Sequence, residues 1–554
     1  MKVALNWLKE LVNYKLSKEE LADLLAQKTI GIKAVTDLYI ELDMKGYNRA
    51  DLLSLRGVAL EVSAVTDTQV KFTDEIPQFD LSLPKTPVSI EDESLCKLQI
   101  VAKIEGLKVS ASAPEWIKKL KDSGMRSVNN IADVTNLIML EYGQPLHAFN
   151  ASTVKDDTIN VRIAKEGEVI TTLDGNARKL NSEDIVLADT EKALDVAGVM
   201  GGKDTEISHQ TISILLSASL FNPQMVRKTS QRLKLQSEAS KRFYHGLTKL
   251  RLLQSLDAAI KMYQSLGGKL TALTIVGDVE DSVKKINLSL NRVNSLIGVE
   301  LSDGQIRSFL EKFGFHINDV WAVTIPFWRL DIEVEEDLIE EVARMYGYDK
   351  IPSLKLKGEL PEKVDQKLFE LISELRTKLV HLGLTEIQTY SFFSNRVLVA
   401  LGWNNNLDSL IKITNPMSTE TTYLRQSIWP NLIEAVDKNL RQGFEDLALF
   451  EIGKTYSLNS DQSINEKFGV SLVLTNTTDN PLQELNQIIK TLALEVEIKS
   501  ANPPDIVKEI FHPSRFLEIK KEKQVIGGMA EVHPRVLDKF GITKRVAVLE
   551  INLE

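Results

Sequence analysis

A chain of 554 residues cannot bury its apolar side chains in one hydrophobic core, so roughly three to five domains are expected. Apolar residues make up 43% of the chain and charged residues 26%, which is the balance of a globular protein. The mostly apolar stretches 52–65 and 468–474 are too polar or too short to cross a bilayer. No membrane partner is therefore predicted.

The cysteine content and the N-terminal sequence indicate the compartment. The single cysteine, Cys96, excludes an internal disulfide framework and a metal site built from several thiolates. The first residues have the pattern of an amphipathic helix and lack the small-residue cleavage site of a signal peptide. These features predict a cytoplasmic protein. The net charge of −10 argues against a protein that holds nucleic acid alone, because such proteins usually carry a basic surface.

Four regions differ in pattern and are predicted as domains. An N-terminal module of helices and a strand is followed by a unit of short strands and helices, a small α+β module, and a region of alternating strands and helices. The last region predicts an antiparallel sheet flanked by helices. The chain is therefore expected to be an α+β multidomain protein, with domain boundaries at 1–75, 76–270, 285–355 and 360–554.

Periodicity and turn residues also predict individual elements. A helix is expected at 52–65 with Asn48 or Asp51 as its N-cap, followed by a linker at 66–85. Turns are expected at 174–176 and at the pair Gly201-Gly202. Further helices are predicted at 236–265, 303–313 and 364–382, and strands at 386–392, 447–450, 468–474, 525–528 and 546–551.

An acidic stretch carries the strongest chemical signal. Seven of the eleven residues from Asp331 to Glu341 are acidic. On a helix Asp337, Glu340 and Glu341 lie at i, i+3 and i+4, so their carboxylates would converge and would need a cation between them. Oxygen ligands favour a hard cation such as Mg²⁺, and Asp331 could supply a fourth oxygen. The alternative is a solvated acidic face that complements the dipole at a helix start.

A second stretch, at 127–149, is rich in side-chain amides and carboxylates. Such groups either bind polar ligands or stabilise turns. By chemistry alone most of them are structural, and a histidine such as His147 is more often hydrogen-bonded within the fold than catalytic.

Eight segments, taken together and in order, carry a family resemblance. They are SVNNIADVTN, GQPLHAF, AGVMGG, SEASKRF, WRLDIEVEEDLIEEVARMYGYDKIP, ITNPMSTETTYLRQS, DLALFEIGKTY and HPSRFLEI. The chain closely resembles the bacterial-type β subunit of phenylalanyl-tRNA synthetase, over nearly its whole length. The resemblance implies a subunit of a ligase that joins phenylalanine to tRNA(Phe) with ATP. The implied partner is an α subunit, in an (αβ)₂ heterotetramer, that binds most of the ATP and phenylalanine.

The resemblance also assigns roles to the C-terminal half. It implies that Asp331, Asp337, Glu340 and Glu341 form a Mg²⁺ site shared with the α subunit. Region 360–554 resembles a class II synthetase domain that has lost its chemistry, because Arg425-Gln426-Ser427 stands where the family pattern R-x-E is expected. No glycine-rich G-x-G-x-x-R segment follows it. No residue of this chain is therefore expected to be catalytic for charging.

The region 76–270 resembles the family's editing domain, which hydrolyses tyrosine wrongly attached to tRNA(Phe). The matching pocket positions are His147, Gly201 and Ala239. Two positions depart from the family pattern, since Ser217 replaces the usual glutamate and Ser237 the usual threonine. A serine at 217 would lose a charge-assisted hydrogen bond to the phenol worth about 1.5–3 kcal/mol, so weak or absent editing is expected.

Two tRNA-contacting modules of the long family form are expected to be absent, namely an oligonucleotide-binding-type domain within the first module and a C-terminal anticodon-binding domain. Two other functions stay open. One is a free-standing deacylase of mischarged tRNA, and the other is a nucleic-acid-binding scaffold built on 285–355. The acidic net charge weakens the second alternative.

Overall fold

The computed structural model describes residues 1–279, 283–355, 358, 366–405, 407–475, 480–492, 495–505 and 507–554. The chain divides into two compact units, Met1–Leu356 and Lys357–Glu554. Both units combine helices with antiparallel or mixed sheets, which confirms the predicted α+β multidomain class. None of the helices within these described ranges is long and apolar enough to cross a bilayer.

The first unit opens with a three-stranded antiparallel sheet packed against helices. The third helix is capped by Ser54, whose hydroxyl accepts a hydrogen bond from the Gly57 N–H at 2.9 Å. The predicted caps Asn48 and Asp51 are therefore wrong, because Asp51 instead pairs with the Arg49 guanidinium. The elements are β1 Lys2–Ala4, α1 Leu5–Leu11, α2 Lys18–Lys28, β2 Ile32–Val35, β3 Tyr39–Leu42 and α3 Leu55–Thr66.

Residues 88–277 form two main sheets that share a hydrophobic core. The five-stranded sheet has the order β12-β11-β10-β7-β4, and the four-stranded sheet has the order β14-β5-β13-β6. The elements are β4 Val88–Ile90, β5 Cys96–Glu105, α4 Pro114–Asp122, α5 Asn130–Tyr142, β6 Leu146–Asn150, β7 Ile159–Ile163, β8 Val169–Thr171, β9 Ala177–Lys179, β10 Ile185–Ala188, β11 Ala193–Val196, β12 Met200–Gly201, β13 Ser213–Phe221, α6 Pro223–Arg232, α7 Glu238–His245, α8 Lys249–Ser265 and β14 Lys269–Gly277.

Strand β13 separates two cores. Leu215 packs into the core shared with the five-stranded sheet, whereas Leu216 packs into the core beneath α5 and α8. Successive side chains of a strand point to opposite faces, so Ser217 and Ser219 lie on the same face as Leu215. Two polar side chains therefore enter the region between the two sheets.

The turn predictions for this region have different outcomes. The turn at 174–176 is confirmed, since Gly175 has a φ of +81° between the paired strands β8 and β9. The turn predicted at Gly201-Gly202 is wrong, because Gly201 belongs to strand β12. Gly198, with a φ of +70°, makes the turn that leads into this strand.

A small α+β module completes the first unit. Its core also receives Ala64 from α3, which attaches the module to the N-terminal helices. The helix predicted at 303–313 is confirmed as α10. The elements are β15 Lys285–Asn287, α9 Leu290–Ile297, α10 Asp303–Lys312, β16 His316–Ile317, β17 Ala322–Thr324 and α11 Glu335–Tyr346.

The second unit is built on a seven-stranded sheet of order β18-β21-β22-β26-β25-β24-β23. All neighbouring strands are antiparallel except β18 and β21. The elements are α12 Lys367–His381, β18 Thr385–Glu386, β19 Phe392–Phe393, α13 Asn395–Leu401, β20 Tyr423–Leu424, α14 Trp429–Leu440, β21 Leu447–Leu458, β22 Ile464–Thr475, α15 Pro481–Leu492, β23 Glu497–Ser500, β24 Phe511–Lys521, β25 Gln524–Val532, α16 Pro534–Phe540 and β26 Val546–Asn552.

Four of the predicted strands of this unit are confirmed within β21, β22, β25 and β26. The strand predicted at 386–392 is wrong, because the chain leaves the sheet after Glu386. The Asn431 side-chain amide donates to the carbonyls of Tyr390 and Phe392, so a side chain replaces the neighbouring strand there. The predicted start of α12 at residue 364 lies outside the described residues.

Candidate functional site

Two adjoining cavities lie in the region of 125–243, and their walls contain all five predicted pocket residues. The small cavity, of about 70 Å³, contains His147, Gly201, Ser217 and Ala239 in its wall. The large cavity, of about 470 Å³, contains His147, Gly201, Ala239 and also Ser237. The two cavities share seven lining residues, Pro145, Leu146, His147, Val199, Met200, Gly201 and Ala239.

Ser217 sits in a closed set of hydrogen bonds at the floor of the small cavity. The side-chain amide of buried Gln99 donates to the Ser217 hydroxyl at 2.8 Å, and the Ser219 hydroxyl donates to the other end of the same amide at 2.6 Å. Glutamine thus satisfies both serines from the neighbouring strand β5. The short side chain at 217 leaves space above it rather than reaching into the cavity.

His147 lies directly opposite Ser217 in the β6–β13 register. Its ring packs edge-on against Phe149, with centroids 4.3 Å apart. Burial lowers the pKa of His147 to about 4, so the imidazole is neutral near pH 7. A neutral imidazole has one nitrogen that accepts and one that donates a hydrogen bond, so it can orient a polar group or a water in either cavity.

Gly201 is required by its contact with His147. A Cβ at position 201 would lie 2.4 Å from the imidazole Cε1 and 2.9 Å from Nε2. The backbone of β12 therefore approaches the His147 ring more closely than any residue with a Cβ at position 201 would allow. The wall between the cavities depends on this contact.

Gly201→Ala is expected to displace the His147 ring and to lower the free energy of unfolding by about 1–3 kcal/mol, as in other overpacked sites. Faster amide hydrogen exchange in β6 and β12 would report the displacement. Gly304→Ala is the matched control, because nothing lies within 4 Å of a Cβ at that helical position. It should stabilise the chain slightly, by about 0.5–1 kcal/mol. Equal effects of the two substitutions would contradict the contact.

Ser237 and Ala239 belong to the start of α7. The Ser237 hydroxyl accepts from the Ser240 N–H at 2.9 Å and donates to the Val199 carbonyl at 2.8 Å. It therefore caps the helix and fixes the loop that leads to Gly201. Ala239 packs beside the core between the sheets and leaves the cavity wall open.

Asp195 is a further cavity residue, and the sequence motifs do not indicate it. It lies on β11 opposite Gly201 and is only 6% exposed. Its Oδ1 is buried and has no hydrogen-bond partner among the described residues. Burial raises the pKa of Asp195 to about 8. An isolated aspartate within an otherwise apolar strand, as in ALDVAG, was the only signal in the sequence.

The predicted metal ligands have other partners in the structure. Both oxygens of Glu341 accept hydrogen bonds from Arg329 and Arg344, at 2.6–2.9 Å. Both oxygens of Asp331 accept from Arg329, at 2.8 and 3.0 Å. Burial alone would raise the pKa of Glu341, but the two guanidinium groups lower it to about 2. Arginine supplies the cation that these carboxylates require.

The other two predicted ligands do not join them. The Asp337 carboxylate accepts from the backbone N–H groups of Glu333 and Val334 and so caps α11, whereas Glu340 is exposed. In the described part of the chain, no three His, Cys, Asp or Glu side chains are grouped to hold a metal ion. The four residues therefore do not fit a shared magnesium site in this conformation.

The same arginines extend into a buried ion network between the N-terminal helices and α11. Glu61 of α3 accepts hydrogen bonds from Arg49 and from both terminal nitrogens of Arg344. Glu61 and Glu341 are each 3% exposed. The network, defined as Arg49, Asp51, Glu61, Arg329, Asp331, Glu341 and Arg344, holds two segments nearly 300 residues apart in sequence.

The second unit has a separate cavity of about 450 Å³ above its sheet. Lys467 is the only basic residue among its described lining residues. Arg425 is 2% exposed and donates to Glu451 at 2.7 Å, to Thr389 and to the Lys454 carbonyl. Its guanidinium is thus buried and hydrogen-bonded within the fold. No arginine clamp for ATP is present among the described residues of this cavity.

Models of three protein families match the chain in order. A B3/4 domain matches residues 95–268, and a tRNA synthetase B5 domain matches residues 286–348. The phenylalanyl tRNA synthetase beta chain CLM domain matches residues 351–553. The two cavities around His147 are lined entirely by residues within the first of these matches.

Curated relatives align over most of the chain. The phenylalanine–tRNA ligase beta subunit of Protochlamydia amoebophila is 33% identical over 91% of this chain and 66% of its own length. Those of Syntrophotalea carbinolica and Streptococcus thermophilus are 32% and 34% identical, over 95% and 93% of this chain. These alignments cover 69% and 66% of the two relatives. The chain thus spans about two thirds of the length of these relatives.

Proposed function

Because this chain belongs to the family of phenylalanine–tRNA ligase β subunits, we propose that it acts as the β subunit in the charging of tRNA(Phe). The reaction is ATP + L-phenylalanine + tRNA(Phe) giving L-phenylalanyl-tRNA(Phe), AMP and diphosphate. The observation that carries the proposal is the identity of about one third that extends across both compact units. The cytoplasm is the proposed location.

The charging chemistry is assigned to a separate α chain, in an (αβ)₂ assembly. Adenylate formation needs cationic groups that neutralise phosphate charge. Arg425 is occupied by Glu451, and the described wall of the cavity in the second unit offers Lys467 alone. ATP and phenylalanine would therefore bind mainly to α, and this chain would contribute structure and tRNA contacts.

The two cavities around His147 are proposed as an editing site. An amino-acid pocket cannot strongly reject a ring that merely adds a hydroxyl, so a second site that removes tyrosine is useful to such an enzyme. The small cavity is lined by residues of both sheets and of α7, with the polar side chains of Ser217, Ser219 and His147 among apolar residues. Neutral His147 would orient the ester or the attacking water.

A magnesium site shared with the α subunit is a separate prediction from the charging reaction. Glu340 is the exposed member of the predicted set, while Glu341 and Asp331 are held by arginines. A shared site would require these ion pairs to rearrange when α binds. Titration of the assembled complex with Mg²⁺, compared with Glu340→Gln, tests it. Unchanged binding in the variant would contradict a role for Glu340.

The proposed function is tested by co-expression with an α-type chain. We expect the two chains to purify as a heterotetramer that charges tRNA(Phe), and we expect this chain alone to show no ATP–diphosphate exchange. Light scattering gives the mass, and acid-precipitable radioactive phenylalanine gives the charging rate. A monomer that hydrolyses mischarged tRNA without α would support the deacylase alternative instead. Failure of any α-type chain to yield charging would overturn the proposal.

A further inference from the structure

The carboxyl group of Asp195 lies in the wall of the small cavity and is not satisfied by hydrogen bonds within the described residues. The residue lies between two strands of its sheet, paired with Leu187 on one side and Gly201 on the other. Its Oδ1 is buried without a partner within the described ranges. The same cavity wall contains Ser217, Ser219 and His147 from the facing sheet. A ligand in the cavity would therefore meet a carboxyl group opposite the serines.

A buried carboxyl without partners destabilises a fold, because its desolvation is not offset by a hydrogen bond. Other buried aspartates of this domain are satisfied. Asp189, also 6% exposed, accepts from the N–H groups of Lys155, Glu191 and Lys192. Asp184 accepts from Thr229 and Arg232. Asp195 differs from them because its Oδ1 has no hydrogen-bond partner among the described residues and its side chain lines a cavity.

We propose that Asp195, in the wall of the small cavity, binds the phenolic hydroxyl of a tyrosyl group and so determines which aminoacyl-tRNA is hydrolysed. The inference rests on the proposed editing function. The proposed role of Asp195 replaces the expectation of weak editing, which was based on the loss of the glutamate at position 217. The side chain of Ser217 on β13 is too short to reach into the cavity. The carboxyl group that binds the phenol comes instead from Asp195 of β11, on the opposite sheet.

The chemistry of the cavity suits a phenol. Since burial raises the pKa of Asp195 to about 8, the carboxyl group is protonated near pH 7 and can both donate to and accept from a hydroxyl. His147, the other titratable residue of this wall, is neutral, so no charge is buried with the ligand. Phenylalanine would leave the carboxyl unpaired. A site built around a hydroxyl rejects an analogue that lacks it far more strongly than an apolar pocket rejects an added hydroxyl.

The test uses the full chain assembled with its α-type partner. Hydrolysis of Tyr-tRNA(Phe) and of Phe-tRNA(Phe) is followed by release of the labelled amino acid, for the unmodified chain, Asp195→Ala and Asp195→Asn. We expect the unmodified assembly to hydrolyse the tyrosyl ester faster. Asp195→Ala should slow that reaction about 10–100-fold, the loss of one strong hydrogen bond, and leave the phenylalanyl ester unaffected. Asp195→Asn keeps a donor and an acceptor and should retain most of the selectivity.

Asp189→Asn is the matched control, because Asp189 is equally buried but lies outside the cavity. It should leave the ratio of the two hydrolysis rates unchanged. The inference is overturned if Asp195→Ala preserves that ratio, if it slows both esters equally, or if the unmodified assembly does not hydrolyse Tyr-tRNA(Phe). Charging of tRNA(Phe) is measured on the same preparations. Normal charging without Asp195-dependent hydrolysis would refute the inference alone, whereas absent charging would refute the proposed function.

Discussion

Glu61→Gln is expected to lower the free energy of unfolding of the first unit by about 3–5 kcal/mol, the usual cost of removing one partner from a buried ion pair. Glutamine has the size of glutamate, so the substitution opens no cavity. It leaves Arg49 and Arg344, which are 8% and 5% exposed, without a carboxylate that both of them contact. Hydrogen exchange in α3 and α11 should accelerate by about 100-fold or more, since each 1.4 kcal/mol is a factor of ten.

Glu41→Gln is the control for the loss of a carboxylate. Glu41 pairs with Lys33, whose side chain is 63% exposed, and such pairs contribute about 0–1 kcal/mol. An equal effect of the two substitutions would show that the buried network contributes no more than a surface pair.

The network also predicts an acid dependence. Burial would raise the pKa of Glu61, but Arg344 and Arg49 lower it well below its usual range, and that of Glu341 is lowered to about 2. Carboxylates with lowered pKa values contribute stability above the unfolded value near 4.5, and this stability is lost as the pH falls toward the folded value. The unmodified chain should therefore lose stability between about pH 5 and pH 2. Glu61→Gln should lose less over that interval.

The acidic stretch shows what sequence patterns can and cannot establish. Helical spacing predicts that Asp337, Glu340 and Glu341 converge on one cation, but only Glu341 joins Asp331 at shared cations. The cations are side chains, and Arg49 and Arg329 come from segments far apart in the chain. Metal ligands and ion-paired carboxylates have the same spacing on a helix. Only the tertiary contacts distinguish them.

The pocket shows the same limit in a different form. His147, Gly201 and Ala239, which the resemblance assigns to an editing pocket, lie in one cavity wall, and their role there stays a prediction. Turn rules did less well at Gly201-Gly202, where Gly201 allows close packing against the His147 ring and Gly202 allows close approach to the Leu194 carbonyl. Asp195 could not be singled out, because the residues it faces lie on another sheet. A residue that compensates for Ser217 need not be near it in sequence.

Asp195→Asn is expected to stabilise the first unit near neutral pH, by roughly 2–4 kcal/mol at pH 7. The carboxyl group has a pKa of about 8 in the fold against an ordinary value of 3.8. Below pH 4 it is protonated in both the folded and the unfolded chain. As the pH rises, the unfolded chain releases the proton while the folded chain keeps it, so the folded state of the unmodified protein loses stability up to about pH 8. Asparagine does not titrate and avoids this loss.

The pH dependence separates this cause from any general effect of the substitution. The charged or titratable groups that line the two cavities beside Asp195 are His147, Glu206 and Glu238, and all three are unchanged in the variant. Their contributions cancel when the two proteins are compared. The stability difference should be small near pH 4, grow through pH 5 and 6, and level off above pH 8. Denaturant unfolding at these pH values measures it. If Asp195 were instead satisfied by internal water, the two proteins would change in parallel with pH, and the carboxyl group would no longer be free to receive a phenol.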